Sequence, residues 1–494
     1  MKWVYDSFNL LGIEFTLNLQ DMIKTNFEQY IVKIKRMLQQ WERRPLTPIG
    51  KITVPKTLVV PMLNHLFISL PNPDETYMKL LNTMFFQFIW GKKTEKVKRS
   101  VITGNYEQGG LKMLDLFDFI ASLKCTWIKR IYQTDNIYAP LLQAIFDRDV
   151  ISYIFTFGNA YLDKLIKDCS NCFWKDVLVS WKLVLTRLLE RKSIISVEPI
   201  WYNDNFKIGG KPVFIRKWFN KGVKIVSDFL ENNRILTKEE FEQKFSLQNC
   251  CALTFYGIRN SIKHRLMNKT HNDVLEITSH PFLPQAIELL IKHSKGCRDF
   301  YQTLYKPATR MTNEKKWNAK SNFDVHWKDV YKNCFETTKD TKLQWFQYRI
   351  IHRLLPIKSY LKTIGIENDD VCSLCGVARE DISHTFFQCA YSKKIWEELK
   401  AYIFNRTNKN ITFNEKCILF GYPTNPNSPI NFVILCTKFY IYKSFKKKEC
   451  MRLSSLINYI KDQFIIEKFN ALKKLNLTNF EKKWENWSEM FEFN

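Results

Sequence analysis

Glycine and proline are scarce, 15 and 16 among 494 residues, so low-complexity segments and flexible glycine-serine linkers are excluded, and no internal repeat marks a solenoid. Acid is also in short supply. Lysine and arginine number 75 against 49 aspartates and glutamates, and the net charge of +26 points to a polyanionic partner. No run approaches the roughly 18–20 apolar residues a bilayer crossing needs; the longest candidate, around 432–436, is broken by Lys438. The opening MKWVYDSFNLLGIEF lacks a basic-then-apolar leader. The expectation is an intracellular protein, cytoplasmic or nuclear, with no membrane partner. HExxH, GxxxxGK[ST] and GxSxG are all absent, so no zincin, P-loop or hydrolase signature argues for an enzyme.

What is present is apolar enough to fold. Hydrophobic residues make up 45% of the chain and aromatics 15%, which marks a globular protein, and its length suggests two to four domains. The thirteen cysteines are scattered and odd in number, so in a reducing compartment they read as core thiols or metal ligands. Five Asn-x-Ser/Thr sequons are then accidental.

Apolar residues recur mostly at helical spacing, which predicts a mainly α fold. LLGIEFTL near the start has strand character and predicts a short β-hairpin. In the following helix Ile31, Ile34, Leu38 and Trp41 form one stripe, while Lys33, Arg36, Gln40 and Arg43 repeat the rhythm two positions on. Two residues turn a helix about 200°, so an apolar and a basic face lie opposite. The pattern stops at RRPLTPIG, where Thr47 can cap a new helix with Pro48 at its first position, and Pro55 and Pro61 should kink that helix. Residues 31–56 hold seven basic residues and one acid. Further on, FIWGKK ends an aromatic stretch in a basic turn, Gly109-Gly110 reads as a tight turn, and Thr237 with Glu240 has capping-box spacing.

The sharpest motif is CSLCGVAREDISHTFFQC at 372–389. Cys372 and Cys375 stand at tight-turn spacing before Gly376, and His384 and Cys389 complete four nitrogen and sulfur donors, the closed set of a structural zinc site. His384 and Cys389 are five apart, about 140° off a common helical face, so this pair should straddle a helix start or a widened turn. Phe387, Tyr391, Ile395 and Leu399 then predict a helix packed through an i, i+4 ladder. CSNC at 169–172 lacks a second ligand pair and reads as buried thiols of an amphipathic helix. Asp369-Asp370 reads as a solvated loop pair. The stretch 438–483 carries twelve basic residues and four acids among Phe439, Tyr440, Tyr442, Phe445 and Tyr459, a mixture that offers phosphate contacts and stacking surfaces.

Taken in order, LLGIEF at 10–15, WERRPLTPIGKITVPKTLVVP at 41–61, FIWGKK at 88–93, GGLKMLD at 109–115 and SLKCTWIKR at 122–130 resemble the region after the polymerase palm of non-LTR, LINE-1-like retrotransposon reverse transcriptases. KLQWFQYRIIHRLLP followed by the Cys/His motif resembles that family's zinc-binding region. Leu11, Gly12 and Ile13 match its post-palm motif, with Leu10 where a tyrosine is common, and Trp41, Arg43, Leu46, Gly50, Lys51 and Pro61 match its thumb-like helices.

The resemblance implies a thumb-like region at 1–135, a helical connector at 136–235, a helical linker unit at 236–320, a zinc-binding domain at 321–405 and a basic, aromatic-rich helical tail at 406–494. It implies structural zinc on Cys372, Cys375, His384 and Cys389. The partner would be RNA or DNA, as an RNA–DNA hybrid or template and primer, gripped through Lys33, Arg36, Arg43, Arg44, Lys51, Lys92, Lys93, Lys446, Lys447 and Lys448. The family's palm aspartates would precede the LGI motif, which here begins at residue 11, and its nuclease is missing too. The chain is therefore expected not to catalyse polymerisation by itself, with a palm-bearing chain as a further partner. The alternatives are a truncated part of an active RNA-directed DNA polymerase and a zinc-knuckle module that binds proteins.

Overall fold

The computed structural model describes residues 7–132, 145–146, 148–190, 192–232, 234–267, 290–291, 296–306, 312–320, 325–422, 425 and 428–490. The protein is mainly α, with a small N-terminal hairpin, as its periodicity predicts. It divides into two compact units, one of residues 1–35, 59–82 and 115–306, the other of residues 36–58, 83–114 and 307–494. The expected boundary at 135/136 lies outside the described residues, and that at 320/321 falls where a described helix ends.

In the first unit β1 (Ser7–Leu10) pairs antiparallel with β2 (Ile13–Thr16), Leu10 opposite Ile13. Leu11 and Gly12 both take positive φ, 53° and 79°, as a two-residue hairpin turn requires. Buried Asn26, on α1 (Leu19–Glu42), clamps the hairpin by accepting from Glu14 N at 2.9 Å and donating to Glu14 O at 2.7 Å. Two further two-stranded ribbons, β3 (Lys207–Ile208) with β4 (Lys211–Pro212) and β5 (Leu230–Glu231) with β6 (Arg234–Ile235), are too short to leave a sequence signal. They border an aromatic core that includes Trp201, Trp218, Phe229 and Phe241. The Thr237–Glu240 capping box forms, each side chain bonding the other's backbone N–H at 3.3 and 2.8 Å.

The second unit contains α2 (Pro48–Val54), capped by Thr47 as expected, its hydroxyl accepting from Gly50 N at 3.3 Å. The predicted kink at Pro55 is one wide π-helical turn, 55–59, leading into α3 (Val60–Ser69) of the first unit. The stretch 48–69 corrects the expectation that no run approaches a span. By length and composition it is apolar enough to cross a membrane, although Ile52, Val54, Val60, Leu63, Leu66 and Phe67 along it are buried within the protein. Helix α4 (Glu75–Trp90) runs from the first unit into the second, and the tight turn at Gly109-Gly110 is obligatory there. A Cβ on Gly110 would stand 2.0 Å from Gly104 O.

Around these pack α5 (Trp327–Glu336), α6 (Thr341–Ile351), α7 (Lys358–Thr363), α8 (Ala390–Thr407), α9 (Pro429–Lys447) and α10 (Leu453–Lys473). Helix α6 stops at His352, and Arg353 follows in the left-handed region with φ 55°. Rings stack along α6, Trp345 on Tyr348 at 5.3 Å and Tyr348 on His352 at 4.0 Å, and Trp90 meets Trp345 at a tilt, 6.2 Å away. Helix α9 is buried along 431–438, and Lys438 within it donates to Gln347 Oε1 at 2.6 Å and Leu419 O at 3.0 Å.

Candidate metal centre

The cluster is assembled by two local devices. In the first, Cys372 and Cys375 flank a turn in which Gly376, φ 67°, donates to Cys372 O at 3.0 Å and Cys375 N approaches Cys372 Sγ at 3.5 Å. A single antiparallel bridge between Val371 and Arg379 closes this loop, with Cys372 N on Ala378 O at 2.8 Å. In the second, 384–388 form one π-helical turn and Cys389 serves as the N-cap of α8. The pair therefore straddles both a widened turn and a helix start, and Cys389 N donates to His384 O at 2.9 Å across it.

The ligand atoms of Cys372, Cys375, His384 and Cys389 all lie within 4.8 Å of one another, the only such Cys/His group among the described residues. Cys372 Sγ stands 4.0 Å from Cys389 Sγ, and Cys375 Sγ 3.4 Å from His384 Nε2. Two thiolates at the usual 2.3 Å from a tetrahedral zinc would be about 3.8 Å apart, close to the 4.0 Å between Cys372 and Cys389. Burial raises the Cys372 thiol to about 12 and pushes the Cys389 thiol up as well. For Cys375, burial is outweighed by N–H donors from Ala378 and Val377 and by the neighbouring thiols, and its thiol falls below the ordinary range.

Sequence reading missed the residue that holds the loop in shape. Glu380 is buried, and its carboxylate accepts from Ser373 N and Ser373 Oγ, both at 3.0 Å, and from Lys358 N at 3.0 Å. It therefore ties the Cys372–Cys375 turn to the start of α7. Asp369 and Asp370 are the outer layer of the same join rather than bare loop carboxylates. Asp369 pairs with Lys358 at 3.1 Å, and Asp370 with Lys362 at 2.9 Å and Arg379 at 3.0 Å. Those hydrogen bonds from Lys358 and Lys362 hold both carboxylates below their ordinary range.

The expected ladder holds in part. Ile395 and Leu399 are buried, within a stripe of α8 that also includes Ser392, Trp396 and Ile403, whereas Phe387 is only half-buried and Tyr391, in the first turn of α8, is exposed. Ser392 Oγ and Trp396 Nε1 donate to Thr385 O and Phe386 O, both at 2.7 Å, which fastens the turn to the helix. The CSNC thiols are also placed differently from the expectation: Cys169 closes one helix and Cys172, exposed, opens the next, so neither lies in a helix interior.

Lys33 and Arg36 lie on the exposed face of α1, opposite buried Ile34 and Leu38, and Arg43 is exposed in the turn just after it. Arg44 is exposed with its guanidinium 4.3 Å from the Trp41 ring. Lys51 is engaged, its ammonium donating to Phe88 O at 3.0 Å near the end of α4. Lys92 pairs with Glu42 at 3.7 Å, which sets the turn after α4 beside the end of α1, and Lys93 next to it is exposed. Lys446, Lys447 and Lys448 are exposed at the end of α9, with Lys447 near Glu449 at 3.6 Å. The tail's aromatics are partly spent on packing: Phe439 and Tyr442 contact Phe346 at 5.0 and 5.5 Å, and Phe445 is buried.

A closed Cys3His cluster beside a helix pair of this kind defines a zinc-binding region. Residues 305–396, under a fifth of the chain, match a family model described as zinc-binding in reverse transcriptase. The match and the cluster together identify a reverse-transcriptase-associated zinc-binding region.

Proposed function

We propose that the chain is a nucleic-acid-binding portion of a LINE-type retrotransposon reverse transcriptase, the part that follows the polymerase palm. It grips RNA, or an RNA–DNA template and primer, chiefly through phosphates, and carries neither polymerase nor nuclease chemistry itself. The observation that carries this reading is a four-ligand centre within a match to a reverse-transcriptase zinc-binding model, in a chain of net charge +26. Exposed cations at Lys33, Arg36, Arg43, Arg44, Lys93 and 446–448 supply phosphate contacts, and a palm-bearing chain is the partner that would supply catalysis.

Zinc would be held by Cys372, Cys375, His384 and Cys389, and once bound it cross-links two chain segments with no position left for substrate. The residues around it do the rest. Glu380 orients the first ligand turn, and Ser392 and Trp396 fix the second against α8.

The test is binding of the zinc-loaded chain to a labelled RNA–DNA hybrid, with primer extension assayed on the same preparation. Binding without extension supports the proposal. Extension by the chain alone, or no binding at low salt, refutes it.

A further inference from the structure

Arg349, on α6, is a cation in an unusual setting. Its guanidinium is half-buried, and its Nε–H, closed off from solvent, has no hydrogen-bond partner among the described residues. The Tyr442 phenol, a neutral group, is a hydrogen-bonding neighbour of the guanidinium. Lys96 lies within electrostatic range of both Arg349 and Lys93, so like charges gather at this place. Among the described residues none of Lys93, Lys96 and Arg349 forms an ion pair. Glu95 is committed to Arg99 at 2.6 Å, and Glu380, which the Tyr442 phenol senses, is committed to Ser373 and Lys358.

The packing explains how these groups meet. Trp345 sits four residues before Arg349 and contacts Trp90, so the basic turn after α4 lies along this side of α6. Phe346, three residues before Arg349, contacts Tyr442, and Lys446 stands 5.9 Å from the Tyr442 ring on the adjoining turn of α9. Burial lowers the affinity of Arg349 and Lys96 for their protons, and the like charges nearby lower that of Lys96 further. Partly desolvated cations held together without a counter-charge are destabilising alone and favourable once an anion arrives.

From this arrangement we infer that Lys93, Lys96, Arg349, Tyr442 and Lys446 form a phosphate-binding claw that seats the backbone of a bound polynucleotide. It rests on the function proposed above and deepens it, because it names an anchor that sequence reading passed over. Arg349 offers the planar donor fork suited to phosphate oxygens, and the lysines add mobile charge at its rim.

The test uses the full zinc-loaded chain and its Arg349→Gln and Lys93→Gln/Lys96→Gln variants, with zinc content and melting profile checking the fold. Against an RNA–DNA hybrid over a salt series, each phosphate contact removed should cut the slope of log affinity on log salt by about 0.9, and Arg349→Gln should weaken binding about tenfold at low salt. The exposed lysine pair keeps the test decisive should Arg349→Gln fail to fold. Variants that match the parent in slope and affinity overturn the inference while leaving the proposed function standing. Inorganic pyrophosphate provides the second arm: it should raise the melting temperature of the parent and not of Arg349→Gln. If no form binds the hybrid, the proposed function falls, and the claw is then judged by pyrophosphate alone, with equal stabilisation of parent and variant overturning it.

Discussion

At the scale of single residues, the metal centre depends on groups that are not ligands. Glu380 accepts from two backbone N–H groups that would otherwise be left unpaired, those of Ser373 and Lys358. Glu380→Ala should destabilise the second unit by about 3 kcal/mol, and Glu380→Gln should also destabilise, because one amide N–H would meet a donor. Chemical denaturation with zinc present checks this, and an alanine variant as stable as the parent would show that the loop is shaped by the metal alone. Cys375→Ser should cost several kcal/mol and lower the bound zinc, since structural metal binding is folding free energy. Equal melting of variant and parent with metal present would break the four-ligand assignment.

At the scale of elements, the π turn at 384–388 sets the spacing of the last two ligands. Deleting exposed Gln388 would convert it to an ordinary α turn and swing position 389 by about 100°. All four ligand types would remain in the chain. The expected outcome is loss of stoichiometric zinc, measured on the purified protein, and full zinc retention would show that the turn is not what presents Cys389. This turn also marks where sequence legibility ends. The hairpin, the Thr47–Pro48 helix start, the Thr237–Glu240 box and the four ligands were all readable, because each is local and carried by residue types with few other uses. The ladder after Cys389 was right at Ile395 and Leu399 and wrong at Tyr391, since apolar spacing does not show which side chains of a first helical turn are covered. Glu380 was not visible because its partners lie seven and 22 residues away in sequence. The CSNC pair and the tail's aromatics were misjudged for a related reason: composition reports which side chains are apolar or sulfur-bearing, and tertiary packing decides which face is covered.

At the scale of the whole molecule, charge governs behaviour in two ways. Burial of His352, stacked on Tyr348 and facing Asn313 Nδ2 at 3.2 Å, lowers its imidazole from the usual 6.5 to about 4. The neutral ring is favoured in the folded state, so its contribution to stability is complete above pH 6.5 and is lost as pH falls toward 4, by about 3 kcal/mol. Zinc ligands are protonated in the same interval, so the readout is the difference between parent and His352→Phe. The variant's melting temperature should fall less between pH 7 and 4.5, and parallel curves would contradict the assignment.

The second consequence concerns the partner. Under the proposed function, the excess of 26 positive charges, with cations exposed along α1 and at the end of α9, should give attachment through many phosphates and little sequence preference. The most direct test is the affinity of the zinc-loaded chain for an RNA–DNA hybrid measured from 50 to 300 mM salt. The account predicts a linear fall of log affinity with log salt, with a slope corresponding to several phosphate contacts and nearly the same for hybrids of unrelated sequence. Affinity that is undetectable at 50 mM, or unchanged across the series, would contradict it.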